Sequence, residues 1–463
     1  MKKRILSIFL AVLLIANLSS CTFLKGFFSK PSVSSSVSSD SVKSEEPLAE
    51  SIKPVESEQS SAVLSSETAS KAVSSKSTVV KEEAKVAYEK EKEDIIDTEI
   101  TPLKINSSFP KLQNRKCYNS LDSDQKVLYN DVLKASKRLT KTVDCKKLSD
   151  DKKYIQVITA VRYDNPEIFW IDSYMYYGYT SSGAWITICY MLDTVDLEKN
   201  ASKANKQKGI SEINAKNAKL EQEINGFLSG ISNDMSQYEL ELALHDQLVL
   251  SCSYDSDVLK DNKANLDAWN IYGAFIKKKA VCEGYAKAMQ LLLSYAGIES
   301  ALVCGEGSAD GVTRPHMWNI VLLGTDWYYL DATWNDPSGN SKNHISYDYF
   351  NISTKELERD HYLKDNIFTP PSCTASSENY FIKEGLLFSL YDSDASQKTA
   401  AHFNSLLAKG RGSISIKYSG DDFDKFSEDA QKDFAKIALT ASISLLTLSF
   451  SYSEELKIIS FYF

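Results

Sequence analysis

Three residues in a stretch of 58, from residue 280 to residue 337, could together carry nucleophilic chemistry. They are Cys282, His316 and Asp331, in that order. A thiolate attacks a carbonyl carbon and forms a thioester, and an imidazole beside the sulfur takes and returns the proton. A carboxylate behind the imidazole fixes its tautomer and favours its charged form. The three residue types therefore indicate a nucleophile, a base and an orienting acid.

Each of the three residues also has an ordinary interpretation. A Cys in a helix is most often a small buried hydrophobe. A His in a strand can be buried with a simple hydrogen-bond partner, and an Asp at a strand end is often a turn residue. The order and the local context of the three residues favour the functional interpretation.

The nucleophile is predicted to stand at the start of a helix. Apolar residues recur at helical spacing from Cys282 until Gly297, a typical C-terminal stop. The unpaired N–H groups and the dipole at that end favour a thiolate over a thiol, and the lysines at 277–279 add positive charge nearby. Gly284 costs a helix about 1 kcal/mol relative to Ala. We therefore expect a substrate or a strand to pass close to Gly284.

Two strands joined by a tight turn are predicted to place the base beside the acid. Residues 316–323 alternate with period 2 and are followed by a two-residue turn and a returning strand. This turn pairs His316 with Thr333, and Asp331 lies two residues before Thr333 on the same face. His316 and Asp331 are then diagonal neighbours within side-chain reach.

An acyl-transfer site also needs hydrogen-bond donors for the oxyanion. The backbone N–H of Cys282, at the predicted helix start, is the natural first donor. Tyr272 and Trp334 are further candidates for oxyanion or substrate contacts, although a Tyr that precedes a buried helix is more often a packing residue.

Three short motifs around these residues resemble the transglutaminase-like superfamily, in its branch of bacterial surface proteins. They are VCEGYA at 281–286, HMWN at 316–319 and DATW at 331–334, and the resemblance covers about residues 240–349. It implies a papain-like α+β fold and a Cys-His-Asp triad at Cys282, His316 and Asp331.

What the resemblance implies about activity is broader than one reaction. The superfamily includes cross-linking acyltransferases, peptidases, amidases and members without demonstrated activity, so the resemblance implies a mechanism more closely than a substrate. Ala280 stands where many relatives have Gly two residues before the Cys. No upstream Gln clearly matches the oxyanion donor of papain-like relatives.

The N-terminus has the pattern of an export signal. Basic residues 2–4 precede an apolar run at 5–18 that is too short to span a bilayer comfortably. The sequence LSSC at 18–21 is typical of a bacterial lipoprotein signal, in which Cys21 becomes the lipid-bearing first residue. The alternative is an ordinary secretory signal with an incidental Cys. We expect an extracytoplasmic protein, anchored to the bacterial cell membrane through a diacylated Cys21.

A low-complexity segment follows the predicted lipidation site. From residue 29 to residue 77, 19 of 49 residues are Ser, and no aromatic residue occurs between Phe28 and Tyr88. Such a segment cannot bury enough apolar surface to offset its ordering entropy. We predict a disordered linker over residues 21–105, with a mean reach of roughly 50 Å.

The rest of the chain is predicted to be α+β, with small α+β domains on both sides of the catalytic core. The 463 residues are 43% hydrophobic, which suffices for several domains. The predicted domains are a signal peptide at 1–20, the linker at 21–105, an N-terminal domain at 106–195, a catalytic domain with leading helices at 196–370 and a C-terminal domain at 371–463. The other predicted elements are helices at 122–141, 149–163, 197–231, 396–409 and 421–441, strands at 168–171, 174–179, 184–192 and 413–418, a strand pair at 379–390 and a closing hairpin at 446–463.

Charge and motif content exclude several classes of protein. The net charge is −9, and −12 without the three basic residues of the first twenty, which argues against a nucleic-acid partner. No CxxC or HExxH occurs, so we expect neither a metal site nor a cofactor. A disulfide between Cys117 and Cys145 is conceivable outside the cell, but the sequence does not give connectivity.

Other histidines receive a structural interpretation. His245 and Asp246 are adjacent on a predicted helix, where neighbours point apart, so a structural role is favoured over a catalytic one. For His344 and His361, positions in surface loops are favoured over a part in a second site.

The sequence thus predicts a membrane-anchored thiol enzyme that acts on amide bonds of peptides, proteins or peptidoglycan peptides. Resolution of the thioester by water would make it a peptidase or amidase, and resolution by an amine a cross-linking transglutaminase. Hydrolysis is slightly favoured because no dedicated amine site is recognisable. The alternative is a surface binding or scaffold protein that keeps the fold with a weak or silent triad.

Overall fold

Three four-stranded sheets, with helices packed against them, make up the part of the chain that the structure describes. This computed structural model describes residues 60–61, 96–179, 183–259, 265–309, 311–337, 343–364, 366–441, 443 and 448–463. The fold is mixed α and β, as predicted. The predicted signal peptide, Cys21 and most of the predicted linker lie outside the described residues.

The helices of the described residues are numbered α1 to α10. They are Lys116–Ser120, Ser123–Ser136, Lys152–Asp164, Lys203–Leu228, Gln237–Ser251, Cys282–Tyr295, Thr354–Leu357, Tyr380–Lys383, Ser393–Ala408 and Phe423–Thr440. Two short 3-10 helices, Ser256–Leu259 and Leu266–Trp269, and a π-helical turn, Gly273–Lys277, lie between α5 and α6.

The strands of the described residues are numbered β1 to β14. They are Ser60–Ser61, Thr142–Cys145, Ile171–Tyr179, Ala184–Tyr190, Ser253–Tyr254, Lys279–Ala280, Glu299–Ala309, Val312–Leu323, Asp326–Leu330, His361–Leu363, Leu387–Phe388, Ser413–Tyr418, Ser449–Ser453 and Ile458–Tyr462. The four-stranded sheets have the orders β1-β3-β4-β2, β10-β7-β8-β9 and β11-β12-β14-β13, and β5 pairs with β6.

The N-terminal sheet is covered by α2 and α3. Asp122 caps α2 in a reciprocal capping box with Gln125. The strand predicted at 174–179 is confirmed within β3, which begins at Ile171 and pairs irregularly with β4 between Ile171 and Met175. The strand predicted at 168–171 is wrong, because residues 168–170 belong to no strand. Cys117 and Cys145 are both free thiols, so the structure contains no disulfide between them.

The folded part begins earlier than the predicted linker end at residue 105. Ile96 and Ile100 are buried in the core, with 4% and 3% exposure. The Ile100 N–H donates to the Lys137 carbonyl at 2.8 Å. Burial of each isoleucine side chain contributes roughly 1.5–3 kcal/mol, which helps to hold this segment on the folded part.

Helix α4 lies within the helix predicted at 197–231, and one of its faces packs into the core. Ile210, Ile213, Leu220, Ile224 and Phe227 are all buried. These residues lie three, seven, four and three positions apart, so they form an apolar stripe on one face of a helix of charged composition. The stripe packs α4 against the segment that leads to the nucleophile helix, with Phe227 edge-on to Phe275 at 5.3 Å.

The central sheet carries the candidate site and is antiparallel throughout. Its edge strand β10 pairs with β7, with His361 opposite Gly307. A Cβ on Gly305 would lie 2.1 Å from the Tyr362 carbonyl oxygen, so this glycine allows β10 to approach. Strand β10 was not predicted. The expected surface position of His361 is wrong, because His361 is fully buried.

The C-terminal sheet is covered by α9 and α10. The strand pair predicted at 379–390 is wrong, because the Asn379 side chain accepts the Phe381 N–H and starts the short helix α8. Only Leu387–Phe388 pairs as a strand. The predicted closing hairpin is confirmed as the antiparallel pair β13 and β14.

All described residues from 60 onward belong to one unit, and a single hydrophobic cluster contains residues of all three sheets. The predicted domain boundaries after residues 195 and 370 stay predictions. In the stretches that the structure describes, every helix is too short or too polar to cross a membrane.

Candidate active site

Cys282 is the first residue of α6, and the predicted helix start is confirmed. Val281 is the extended residue before it, with φ −94° and ψ −179°. The Cys282 side chain is buried with 9% exposure. The N–H groups of the first turn have no intrahelical acceptors, so they and the helix dipole stabilise negative charge at this position.

Gly284 provides the close approach that its presence in the helix predicted. A Cβ at this position would lie 2.5 Å from the Ala268 carbonyl oxygen and 2.9 Å from the Ala280 Cβ. The same Ala268 carbonyl accepts the Val281 N–H at 3.0 Å. The absence of a side chain therefore lets the segment around Ala268 hold the chain immediately before the cysteine.

The predicted turn and register of β8 and β9 are confirmed. Leu323 pairs with Asp326 across a two-residue turn, and Asn319 pairs with Leu330. Asp331 follows the end of β9, and its Oδ2 lies 2.5 Å from His316 Nε2. The geometry thus brings the predicted base and acid into direct hydrogen-bond contact.

The Asp331 carboxylate accepts four hydrogen bonds. Oδ1 accepts the backbone N–H groups of Thr333 at 2.9 Å and Trp334 at 3.1 Å. Oδ2 is contacted by His316 Nε2 and, at 3.1 Å, by His361 Nε2. The sequence analysis missed His361, because its short edge strand gives no periodic signal.

Cys282 completes the chain on the other side of the imidazole. Its thiol lies close enough to the His316 side chain to raise the pKa of that imidazole. Because Nε2 of His316 is engaged with Asp331, Nδ1 is the nitrogen that faces the sulfur. The structure therefore brings together the three residues that the motifs singled out.

Charges around the site set the protonation of His316. Burial alone would lower the pKa of His316, but the Asp331 carboxylate and the hydrogen bonds to Asp331 and Cys282 raise it to about 9. Burial of Asp331 would raise the pKa of its carboxyl, but His316 and His361 outweigh burial and hold it far below its usual range. At neutral pH, His316 is thus an imidazolium that faces a carboxylate.

A buried ionic cluster lies directly behind the nucleophile. Glu283 Oε1 accepts from Arg162 Nη2 at 2.7 Å and from Lys287 Nζ at 2.6 Å. The three side chains are 6–9% exposed. Arg162 lies on α3, which packs against the N-terminal sheet. The cluster therefore connects α3 to Glu283, the residue after Cys282.

The two weaker sequence candidates have different positions. The Tyr272 ring stacks on Phe169 at 5.9 Å and lies under Lys216 Nζ at 5.1 Å, which is a packing role. Trp334 forms a wall of the site, with its ring 5.5 Å from His316 and 4.3 Å from His361.

Tyr254 is a site residue that the sequence analysis did not single out. It pairs with Ala280 in the parallel strands β5 and β6, two residues before Cys282. Burial first, and then the charges of Cys282, raise the pKa of its phenol, while Arg314 opposes this. Its hydroxyl is therefore protonated at neutral pH and can donate a hydrogen bond. The only sequence signal was its place at the end of α5.

The expectation that His245 and Asp246 point apart is wrong, because His245 Nδ1 lies 3.2 Å from Asp246 Oδ1. His245 is fully buried on α5, and its Nε2 lies 3.1 Å from Asn335 Nδ2. The Asn335 N–H donates to the Asp331 carbonyl at 3.1 Å. His245 thus supports the turn that follows the acid, without contacting the Asp331 carboxylate in the described structure.

Three side chains of the described residues have the spacing of a metal-binding group. The donor atoms of His316, Asp331 and His361 lie within 4.8 Å of one another, and all three residues are buried. Both imidazole Nε2 atoms are engaged with the same carboxylate oxygen. This arrangement is a hydrogen-bonded chain, and we assign it no metal.

Comparison with known proteins agrees with this site. Residues 225–332 match the family model of the transglutaminase-like superfamily. This range contains Cys282, His316 and Asp331. No match was found among curated proteins. The chain therefore contains a transglutaminase-like domain at these residues.

Solved structures give a fainter likeness. The crystal structure of a TGase is 15% identical over 42% of this chain and 50% of its own, with a TM-score of 0.24. A proposed cysteine protease from Cytophaga hutchinsonii is 15% identical over 33% of this chain and 51% of its own, with a TM-score of 0.20. The chain spans about half the length of both.

Proposed function

We propose that the transglutaminase-like domain is the catalytic part of a membrane-anchored, extracytoplasmic cysteine acyl-enzyme that acts on amide bonds. Cys282 is the nucleophile, His316 the general base and acid, and Asp331 the orienting carboxylate. The observation that carries this proposal is the 2.5 Å hydrogen bond between His316 and Asp331, with Cys282 at the start of α6 close enough to raise the pKa of His316.

Acylation begins from a thiolate and an imidazolium. The sulfur bonds to the carbonyl carbon of the amide, and the carbonyl π electrons move to its oxygen. As the tetrahedral species collapses, the C–N bond breaks and His316 Nδ1–H gives its proton to the leaving nitrogen. The products are a free amine and a thioester on Cys282.

Deacylation uses the neutral imidazole that acylation leaves behind. His316 takes a proton from water or from an amine, the resulting nucleophile attacks the thioester carbon, and the C–S bond breaks. The thiolate and the imidazolium are thereby restored. Water gives a carboxylic acid and an amine gives a new amide. We favour water, because no dedicated amine site was recognised.

Two donors suit the oxyanion. The backbone N–H of Cys282 has no intrahelical acceptor and lies beside the reacting sulfur. The Tyr254 hydroxyl, positioned by the pairing of β5 with β6, is the second donor. One oxyanion donor contributes about 10²–10³-fold in rate in other acyl-transfer enzymes.

The substrates we propose are peptides, proteins or peptidoglycan peptides outside the membrane. The support is the signal-like segment at 1–20, the Cys21 that follows it and the Ser-rich linker. A lipid anchor with a reach of roughly 50 Å would hold the domain near wall and surface proteins.

Reactivity of the thiol tests the catalytic assignment. The full chain is treated with iodoacetamide between pH 5 and pH 10, and the tryptic peptide 280–287, whose one cysteine is Cys282, is quantified by mass spectrometry. We expect rapid labelling well below the pH at which a free thiol ionises, about 8.5, and its loss in His316→Ala and Asp331→Ala. Labelling like that of an ordinary thiol, unchanged by both substitutions, would instead favour the surface binding or scaffold protein.

A second experiment separates hydrolysis from transamidation. Muropeptides and a protein digest are incubated with the protein, with and without a biotinylated primary amine. New carboxyl termini that appear in both samples indicate hydrolysis, and biotin incorporation indicates transamidation. The Cys282→Ser variant is the control, because it keeps the shape of the site but lacks the thiolate.

A further inference from the structure

A second imidazole reaches the same carboxylate as the base. His361 Nε2 lies 3.1 Å from Asp331 Oδ2, the oxygen that also contacts His316 Nε2 at 2.5 Å. The two imidazole rings are 5.3 Å apart. His361 comes from β10, on the opposite side of β7 from the strand that carries His316.

The other nitrogen of His361 also faces a carboxylate. Nδ1 lies 2.5 Å from Asp360 Oδ1, and Asp360 Oδ2 accepts the Tyr349 hydroxyl at 2.7 Å. Two ionised carboxylates can be satisfied by one imidazole only when both of its nitrogens carry hydrogen. The geometry therefore fits a cationic His361 between two anions.

The groups form an alternating chain that is closed to water. From the sulfur inward, it runs through His316, Asp331, His361, Asp360 and the neutral hydroxyl of Tyr349. His361 is fully buried, and Asp331, Asp360 and Tyr349 are each 2% exposed. In such an environment an unpaired charge is costly, so each member holds its neighbours in their ionised form. The charge of Asp348 also acts on the Tyr349 phenol, and the charge of Asp331 acts on the Tyr254 phenol.

Aromatic rings fix the second imidazole in place. The His361 ring lies 4.9 Å from Trp318, 4.3 Å from Trp334 and 5.1 Å from Tyr349. The position of Nε2 is thus set by packing on three sides. An imidazole needed only as filling would not require two carboxylate partners.

We propose that His361 is a positioning residue for the reaction, one that acts through Asp331. Its Nε2–H holds Oδ2 of Asp331 at the point where that oxygen receives His316, and Asp360 fixes His361 in turn. This inference rests on the proposed function of Cys282, His316 and Asp331. Without His361, Oδ2 loses one of its two donors and Asp331 orients His316 less well.

The test compares the labelling rate of Cys282 in three proteins across pH 5–10. The full chain, His361→Phe and His361→Gln are alkylated with iodoacetamide, and the peptide 280–287 is quantified. Phe keeps a planar ring but has no donor, whereas the Gln amide retains an N–H that can be directed at Oδ2. His402→Phe is the matched control. His402 lies on α9, which packs against the C-terminal sheet, and its Nε2 forms a 2.9 Å hydrogen bond with the Tyr380 hydroxyl. The substitution therefore also removes one imidazole hydrogen bond, but in another part of the chain.

A positioning role predicts a pH-selective loss with rescue. We expect His361→Phe to label about tenfold or more slowly at pH 6, since a hydrogen bond to a charged group is lost. At pH 10, where a thiol ionises without help, it should label like the wild type. His361→Gln should restore most of the rate at pH 6, and His402→Phe should not differ from the wild type.

Other results overturn the proposal in separable ways. A wild-type profile in His361→Phe, or equal losses in Phe and Gln at every pH, would show that His361 only fills space. If the wild type itself labels like an ordinary thiol, both this inference and the proposed function fall. Should His361→Phe not fold, Asp360→Asn decides, because it removes the anion that holds His361 charged. A slower rate at pH 6 then supports positioning, and an unchanged rate refutes it.

Discussion

The buried cluster behind the nucleophile makes a prediction about charge balance. Glu283 is the sole anion between two cations, since its Oε1 contacts both Arg162 and Lys287. Glu283→Gln would leave two buried cations that share a neutral acceptor. Arg162→Met would leave the 2.6 Å pair of Glu283 and Lys287, which is neutral as a whole. We therefore expect Glu283→Gln, although it changes the side chain less, to lower the free energy of unfolding more than Arg162→Met does.

The magnitudes follow from which charge is left without a counterion. Removal of one partner from a buried ion pair costs about 3–5 kcal/mol when it leaves an uncompensated charge, and we expect this for Glu283→Gln. Arg162→Met leaves no net charge and keeps most of the apolar volume, so we expect about 0–2 kcal/mol. Burial, aided by Arg162, already lowers the pKa of Lys287 to about 8.

The pH dependence of stability provides a second, independent test of this prediction. In Glu283→Gln, Lys287 loses the anion that keeps it protonated, so its amine becomes neutral at a lower pH than in the wild type. The folded variant then binds fewer protons than its unfolded chain, and its stability rises with pH. The difference in free energy of unfolding between Glu283→Gln and the wild type should therefore narrow as the pH rises towards 8, and stay constant above pH 8.

Urea unfolding followed by tryptophan fluorescence measures both effects. The free energy of unfolding is compared for the wild type, Glu283→Gln and Arg162→Met at pH 6, 7 and 8.5. Lys398→Met, whose partner Asp394 is exposed on α9, is the control for loss of a surface pair and should change stability little. An Arg162→Met variant at least as unstable as Glu283→Gln would refute the charge-balance argument.

Three further predictions concern other parts of the chain. Burial raises the pKa of Glu241 to about 8, so the folded state holds a proton that the unfolded chain releases near pH 4.5. The stability of the wild type therefore falls as the pH rises between these two values. Glu241→Gln should remove this fall and raise the free energy of unfolding at pH 8–9 by a few kcal/mol, with little change at pH 4. Gly284→Ala should destabilise by about 1–3 kcal/mol and slow the labelling of Cys282, because the new Cβ would lie 2.5 Å from the Ala268 oxygen; thermal melts and the peptide 280–287 report on the two effects. Cys21→Ser should abolish incorporation of an alkyne-labelled fatty acid in cells and release the protein from the membrane fraction, and persistent labelling would show that Cys21 is not the lipidation site.

Local patterns carried much of the site. Helical spacing from Cys282 to Gly297 and a two-residue turn after Leu323 fixed the helix start and the register that joins His316 to Asp331. Both depend on residues close in sequence, where periodicity and turn chemistry act directly. The same reasoning predicted the closing hairpin.

The missed parts depend on contacts between distant residues. His361 reaches Asp331 because Gly305 allows the three-residue edge strand β10 to approach β7. No sequence pattern around residue 361 predicts this strand. Tyr254 reaches the site through a two-residue parallel pairing with Lys279–Ala280. Strands this short have no periodicity to detect, so their existence is decided by the tertiary packing around them.

The contacts of the nucleophile helix extend the functional unit beyond the transglutaminase-like domain. The family match begins at residue 225, yet Arg162 binds the residue that follows Cys282, and Tyr163 accepts a hydrogen bond from Cys304 on β7 at 3.4 Å. A helix N-terminus stabilises a thiolate only while its first turn is held in place. Because Arg162 and Tyr163 belong to α3, this helix would hold that turn in place in the proposed acyl-enzyme. The proposed acyl-enzyme therefore requires a longer stretch of the chain than the one that carries its motifs.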